Sequence, residues 1–315
     1  MRLVARAFTG SLFVALLGTC TIPGLSGTAQ MQATAAPPLR APALALPAPA
    51  ARPPDLPPQP GRFQFQGQMI QGGVVIGTAP AGTTMLTFNG ASIPLARDGR
   101  FVIGFDRDAP GAATLVATLG NGSQLSHALT VAPRSWDISK LSTLPKYPVP
   151  QPEFEKRRPA ELQQIGAARG MQTDAQGWSQ PFMWPVTGRI STLFGSQRIY
   201  QNGEAGAYHS GVDVARPTGT VVLAPADGVV ILAAAAPFTL EGYLLMVDHG
   251  MGLNSAFMHL SRIDVKLGAH VRRGQPIGLV GMSGRATGPH LHWGMKWRDA
   301  RIDPLLLAGP MPVAD

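Results

Sequence analysis

From Phe63 to Pro133 the apolar residues fall in short alternating or continuous runs: "FQFQGQM", "GGVVIGTA", "TTMLTFNG", "RFVIGF", "ATLVATLGNG" and "HALTVAP". Asn89-Gly90, Asp98-Gly99 and Asn121-Gly122 separate several of them. Runs of this length broken by Asn-Gly and Asp-Gly predict strands joined by tight turns. Their number over residues 63–133 predicts a small β-sandwich-like domain. A second region repeats the texture: "GTVVLAPADGVVILAAA", "GYLLMVDHG", "LNSAFMHL" and "AHVRRGQPIGLVGMSG". It predicts a compact, mostly antiparallel β domain over residues 179–309. Residues 134–178 form a polar connector. Within it, "RPAELQQIGAARG" has Pro159 where a first helical turn tolerates proline, Leu162 and Ile165 on one face, and Gly170 as a stop. That pattern predicts one short helix.

Composition agrees with a mainly β chain. Glycine (37) and proline (30) are abundant and charged residues make up only 14%, which favours turns and short strands over helices. Residues 1–29 carry Arg2 and Arg6, an apolar stretch from Ala7 to Gly18, and small residues up to Ala29. This is the pattern of a secretory signal peptide, and the apolar stretch is short of the roughly 20 residues a spanning helix needs. Residues 30–62 form a Pro/Ala-rich tether, "APPLRAPALALPAPAARPPDLPPQPG", too dense in proline for helix or central strand. Cys20 lies within the leader and is the one cysteine of the chain, so the exported protein is expected to hold no disulfide. The run "LLGTC" resembles a bacterial lipoprotein signal, with Thr19 a poor match. Membrane attachment is expected only if Cys20 is lipidated.

The formal charge of +8 suits attraction to an anionic polymer. There is no Lys/Arg-rich run, basic aromatic stripe or zinc-finger spacing, so nucleic acid is not an expected partner. An anionic wall polymer is, and with the leader it places the protein in the periplasm or cell envelope.

Six of the seven histidines fall between His209 and His292. In "GRATGPHLHWGM", His290 and His292 are two apart and share a strand face; in "YHSGVDVARP", His209 and Asp213 are four apart and can reach one point if extended. Imidazole and carboxylate are good zinc ligands, and catalytic zinc usually keeps three protein ligands and an open position. His209, Asp213 and one of the paired histidines make such a set. Hydrolysis also needs a proton acceptor and a partner for the oxyanion. No "HExxH" glutamate is present, so histidine must serve.

The segments "HSGVD", "MHLS" and "GRATGPHLHWGM", in this order and spacing, resemble the lysostaphin-type (LytM-like) zinc metallopeptidases, over about residues 180 to 308. The resemblance implies an antiparallel β-groove fold with one Zn²⁺ at its floor, held by His209, Asp213 and His292, and catalytic roles for His259 and His290. It implies that the substrate is a peptide cross-link or stem peptide of bacterial peptidoglycan. The other class considered is a non-catalytic regulator of another wall hydrolase; relatives of that kind have lost zinc ligands, whereas this sequence keeps them. A carrier domain, suggested by "VKLGAHVRRGQPIGLVG", lacks a suitably placed lysine. Elsewhere, His249 is expected to hold a turn and His127 and His270 to be surface residues. Trp293, Phe257 and Tyr208 are expected to pack near the ligands, Gly288-Pro289 to fix the start of the histidine strand, and Arg198 to meet a substrate carboxylate or an ion-pair partner. Residues 134–178 or the β-sandwich are expected to limit access to the groove.

Overall fold

The structure, a computed structural model, describes residues 61–140 and 152–312. The leader, most of the tether and Cys20 lie outside the described residues. Eight strands precede a helix: β1 (Gln64–Gly67), β2 (Val74–Thr78), β3 (Thr83–Phe88), β4 (Ala91–Ile93), β5 (Arg100–Gly104), β6 (Ala112–Leu119), β7 (Gln124–Thr130) and β8 (Ile138–Lys140), then α1 (Pro152–Gly170). A 3-10 turn at Gly177–Ser179 leads into β9 (Arg189–Thr192), β10 (Gln197–Ile199), β11 (Gly211–Ala215), β12 (Val221–Leu223), β13 (Gly228–Ala233), β14 (Tyr243–Gly250), β15 (Leu253–Leu260) and β16 (Arg262–Ile263). The chain continues through β17 (His270–Val271), β18 (Pro276–Leu279), β19 (His290–Trp297), β20 (Ala300–Ile302) and a short α2 (Pro304–Ala308). The protein is mainly β, as its turn-rich composition predicts.

Upstream of α1, β1-β2-β5 form one antiparallel sheet and β4-β3-β6-β7 another. Downstream, an eight-stranded sheet runs β17-β13-β14-β15-β19-β11-β9, with β20 paired to β19. Alternation decides its two faces. On β19, Leu291, Trp293, Met295 and Trp297 are buried in the core, and His290, His292, Gly294 and Lys296 point the other way. The core does not stop at the connector: Val75, Phe101 and Ile103 belong to the same buried cluster as Val214, Phe257 and Trp293. Phe88 of β3 meets Trp297 edge-on, 5.7 Å between centroids. A Cβ on Gly104 of β5 would come within 2.8 Å of Trp297 Cβ and 2.7 Å of Ile302 Cδ1, so that approach requires glycine. The buried Asp303 carboxylate caps α2 at Leu305 N and pairs with Arg134 at 2.8 Å.

The helix differs from the sequence expectation. It begins at Pro152, with Pro159 in its interior and Glu153 and Glu155 in the first turn. Pro152 occupies the start that the sequence assigns to Pro159, and the acids suit the helix N-terminus. Pro159 and Glu155 are both exposed, so water can satisfy the carbonyl that proline leaves without a donor. Ile165 and Ala168 of α1 pack on Leu244, Met246 and Ala256. These residues lie on the histidine-bearing side of the sheet, where α1 forms a wall beside the groove. Arg158 donates twice to the Glu241 carboxylate, at 2.6 and 2.8 Å. The buried Glu161 accepts from Thr239 N and Oγ1. The helix is thereby clamped to the loop that precedes β14.

Candidate functional site

Strand pairing brings the first set of groups together. Asp213 of β11 is the cross-strand partner of His292 of β19, and both side chains point to the groove. His209 lies two residues before β11 and bends in to join them. His209 Nε2, Asp213 Oδ1 and His292 Nδ1 form a triangle with edges of 3.0, 2.9 and 3.0 Å. His209 Nδ1 is 3.2 Å from the Leu193 carbonyl, which draws the ring proton to that side and leaves a lone pair on Nε2. His292 Nε2 is buried with no hydrogen-bond partner. At most one ring proton can serve the three contacts, so three electron-rich atoms crowd one point. The centre of a triangle of this size lies about 1.7 Å from each corner, a little less than the roughly 2.0–2.2 Å of zinc–nitrogen and zinc–oxygen bonds, so an ion just off its plane could reach all three. His209, Asp213 and His292 therefore fit a dication, and they are a potential metal-holding group among the described residues.

The floor beneath them is glycine. A Cβ on Gly211 would sit 2.4 Å from the Trp293 carbonyl and 2.7 Å from His292 Nε2, so the His292 ring packs where a side chain at 211 would otherwise be. Burial tends to raise the Asp213 carboxyl, but the His209 and His292 rings against it outweigh that and hold it well below the usual carboxylate range. Burial pushes the His292 ring below its ordinary value, with Asp213 opposing.

His259 reaches the same space by a different route. Simple alternation along β15 would put it with Phe257, facing the core. Instead Tyr243 pairs with Leu260 and Leu245 with Phe257, which leaves one extra residue on β15. At this bulge His259 takes φ of +62°, a left-handed conformation uncommon outside glycine. The side chain swings into the groove, 4.8 Å from the His290 ring between centroids. Its backbone N–H donates to Glu241 O, on the loop clamped by α1, and its Nδ1 lies 2.9 Å from Ser283 O. Burial pushes its pKa down to about 4. His290 Nδ1 is 2.8 Å from Gly288 O, and its Nε2 faces the trio at 3.8 Å from Asp213 Oδ1. Both histidines thus use Nδ1 on a carbonyl and present Nε2 to the groove.

The remaining sequence expectations divide. Trp293 and Phe257 are fully buried on the far face, and Tyr208 is half-buried with its hydroxyl donating to Asp106 at 2.9 Å. His249 is also fully buried, its Nδ1 2.8 Å from Asp227 O and Nε2 2.8 Å from Ser255 Oγ; it ties two segments within the core. Arg198 is exposed on β10 and forms no ion pair among the described residues. His270 is exposed. Sequence reasoning missed Ser283, which orients His259 through a main-chain carbonyl that carries no residue signature. It also missed the basic residues that flank the groove, because Arg169 of α1 is far in sequence from the β19–β20 hairpin that pairs Lys296 with Arg301.

Comparison with known proteins places this geometry. The sequence model of peptidase family M23 matches residues 207–304. The peptidoglycan DD-endopeptidase ShyA of Vibrio cholerae serotype O1 is 39% identical over 123 residues, which are 39% of this chain and 28% of that protein. The DD-carboxypeptidase/endopeptidase Mpg of Neisseria meningitidis serogroup B is 37% identical over 124 residues, again 39% of this chain and 28% of the relative. The chain thus spans little more than a quarter of the length of these relatives. A crystal structure described as a peptidase M23 from Pseudomonas aeruginosa covers 76% of this chain and 94% of its own, at 31% identity and a TM-score of 0.59.

Proposed function

This chain belongs to peptidase family M23, and from that premise we propose that it is a zinc endopeptidase that hydrolyses peptide cross-links or stem peptides of bacterial peptidoglycan. The observation that carries the reading is the 3 Å triangle of His209, Asp213 and His292 beside two histidines with free Nε2 atoms. The activity named for ShyA and Mpg supports it.

In this proposal His209, Asp213 and His292 are the zinc ligands. Zinc there would polarise the peptide carbonyl and lower the pKa of a water towards about 7. Asp213 contributes one negative charge, so the centre stays net positive toward developing negative charge. His259 and His290 share the proton transfer and the steadying of the oxyanion. With Nδ1–H donated to Ser283 O and Gly288 O, each neutral ring has its lone pair on Nε2, ready to take a proton. The carbonyl contacts also fix the ring planes.

A regulator without activity fits less well, since all five residues are present and converge. We also propose that residues 1–29 direct export to the periplasm or envelope, where this substrate lies, and that residues 63–133 and 179–309 are the two β domains of the chain.

The test is digestion of purified peptidoglycan by the full-length protein, with fragments identified by mass. Cleavage between D-alanine and a diamino acid is expected, abolished by a chelator and restored by zinc. No soluble fragment from zinc-replete protein would refute the proposal.

A further inference from the structure

The groove continues past the histidines. Because β19 alternates, Gly294 and Lys296 follow His292 on the same face, about 7 and 13 Å along the strand. Across the ladder, Met258 is paired with His292 and Asn254 with Lys296. A small pocket, partly open to solvent, lies there, lined by Met258, Ser210, Asn254, Lys296, Arg301 and, from α1, Arg169. Three cations from three separate elements therefore converge at one end of the groove.

None of the three forms an ion pair with a carboxylate of the described residues. Arg169 Nε is buried and has no hydrogen-bond partner. Arg301 has Tyr208 as its neighbour, with Nη1 3.3 Å from the hydroxyl and the guanidinium 5.2 Å from the ring centroid. The nearby Asp106 already accepts from the Tyr208 hydroxyl and from Arg301 N. Asn254 is 5% exposed, lines the cavity, and its side chain makes no hydrogen bond among the described residues. Burial, then the neighbouring cations, push Lys296 below its ordinary value; Arg169 is lowered by burial and by Arg301. Gathering like charges around an orphaned donor costs folding free energy. An anion in the cavity would reverse that cost.

We propose that Arg169, Lys296 and Arg301 form a carboxylate-binding subsite that holds a free carboxylate of the peptide substrate beside the metal centre. The role as a substrate subsite rests on the endopeptidase reading above. An extended peptide advances about 3.3–3.6 Å per residue, so the carboxylate held at 7–13 Å belongs to a residue two to four positions from the bond cut. Guanidinium and ammonium groups suit a carboxylate by charge-assisted hydrogen bonds, with Asn254 as an additional donor. The helix α1 is then part of the substrate site, since it supplies Arg169.

The experiment compares binding of N-acetyl-D-alanyl-D-alanine with binding of its C-terminal amide by calorimetry, using the full-length protein. The acid is expected to bind at least tenfold more tightly than the amide. Arg169→Gln and Lys296→Met, each checked for an intact thermal transition, are expected to bring the two ligands within about twofold. Equal binding of acid and amide by the unsubstituted protein overturns the subsite. So does an acid preference that survives both substitutions, because the carboxylate is then held elsewhere, on the metal for example. Hydrolysis is read separately. A protein that shows the charge-dependent binding and cuts no peptidoglycan sinks the endopeptidase reading and leaves the anion site standing.

Discussion

Asp213 and His292 face each other across the β11–β19 ladder, and their side chains meet at 2.9 Å. The register of one strand pair therefore sets two of the three corners of the proposed metal site. Asp213→Asn removes the charge while keeping the shape, and bound zinc is expected to fall from about one per chain to a small fraction of that. Elemental analysis of the purified variant checks this. Full zinc occupancy in Asp213→Asn would remove Asp213 from the ligand set.

His290 is adjacent to the trio but is not one of its corners. His290→Ala is expected to retain zinc and to lose about 10²- to 10⁴-fold in turnover, the usual contribution of an acid–base group. Loss of the metal in this variant, with retention in His292→Ala, would exchange the roles of the pair.

The bulge at His259 makes a different prediction, because the residue has φ of +62°. Glycine adopts that conformation without strain, whereas alanine keeps the Cβ penalty of about 1 kcal/mol. His259→Gly is expected to be more stable than His259→Ala by about that amount, and both to lose most turnover. Urea denaturation and a hydrolysis assay together separate the stability effect from the catalytic one.

His249 gives the stability a pH dependence apart from catalysis. Its ring is fully buried, and burial pushes its pKa down from 6.5 to about 4. In the unfolded chain the ring takes up a proton near pH 6.5; in the folded protein it resists until about pH 4. The stabilisation of the neutral ring is present above about pH 6.5 and is lost as pH falls towards 4, on the order of 3 kcal/mol in all. His249→Gln removes that titration. The stability gap between the native protein and this variant is expected to narrow on acidification; a gap constant from pH 7 to 4 would contradict the assignment.

Much of the candidate site is legible in the sequence because its chemistry lies in short segments. His290 and His292 share a face through period two, and "HSGVD" brings His209 and Asp213 into reach. His259 shows the limit: alternation alone sends it to the core with Phe257, and only the bulge turns it into the groove. The helix illustrates another limit, since Pro159 looks like a start until Pro152 takes that place. The approach of Arg169 to Lys296 and Arg301 leaves no local trace, because it depends on α1 packing on the sheet. The strand content was legible from turn chemistry, but the continuity of the core across the connector was not, since contacts such as Phe88–Trp297 join residues more than 200 positions apart.

That last contact has a consequence for how the molecule comes apart. Trp297 ends the strand that carries His290 and His292, and its ring is sheltered by Phe88, a residue of the upstream sheets. Trimming the chain back to the peptidase strands alone would leave this indole wet and Gly104's tight fit unmade. The two halves should consequently melt as one cooperative transition, and the amino-terminal half is as much a foundation for the groove-bearing half as a neighbour of it.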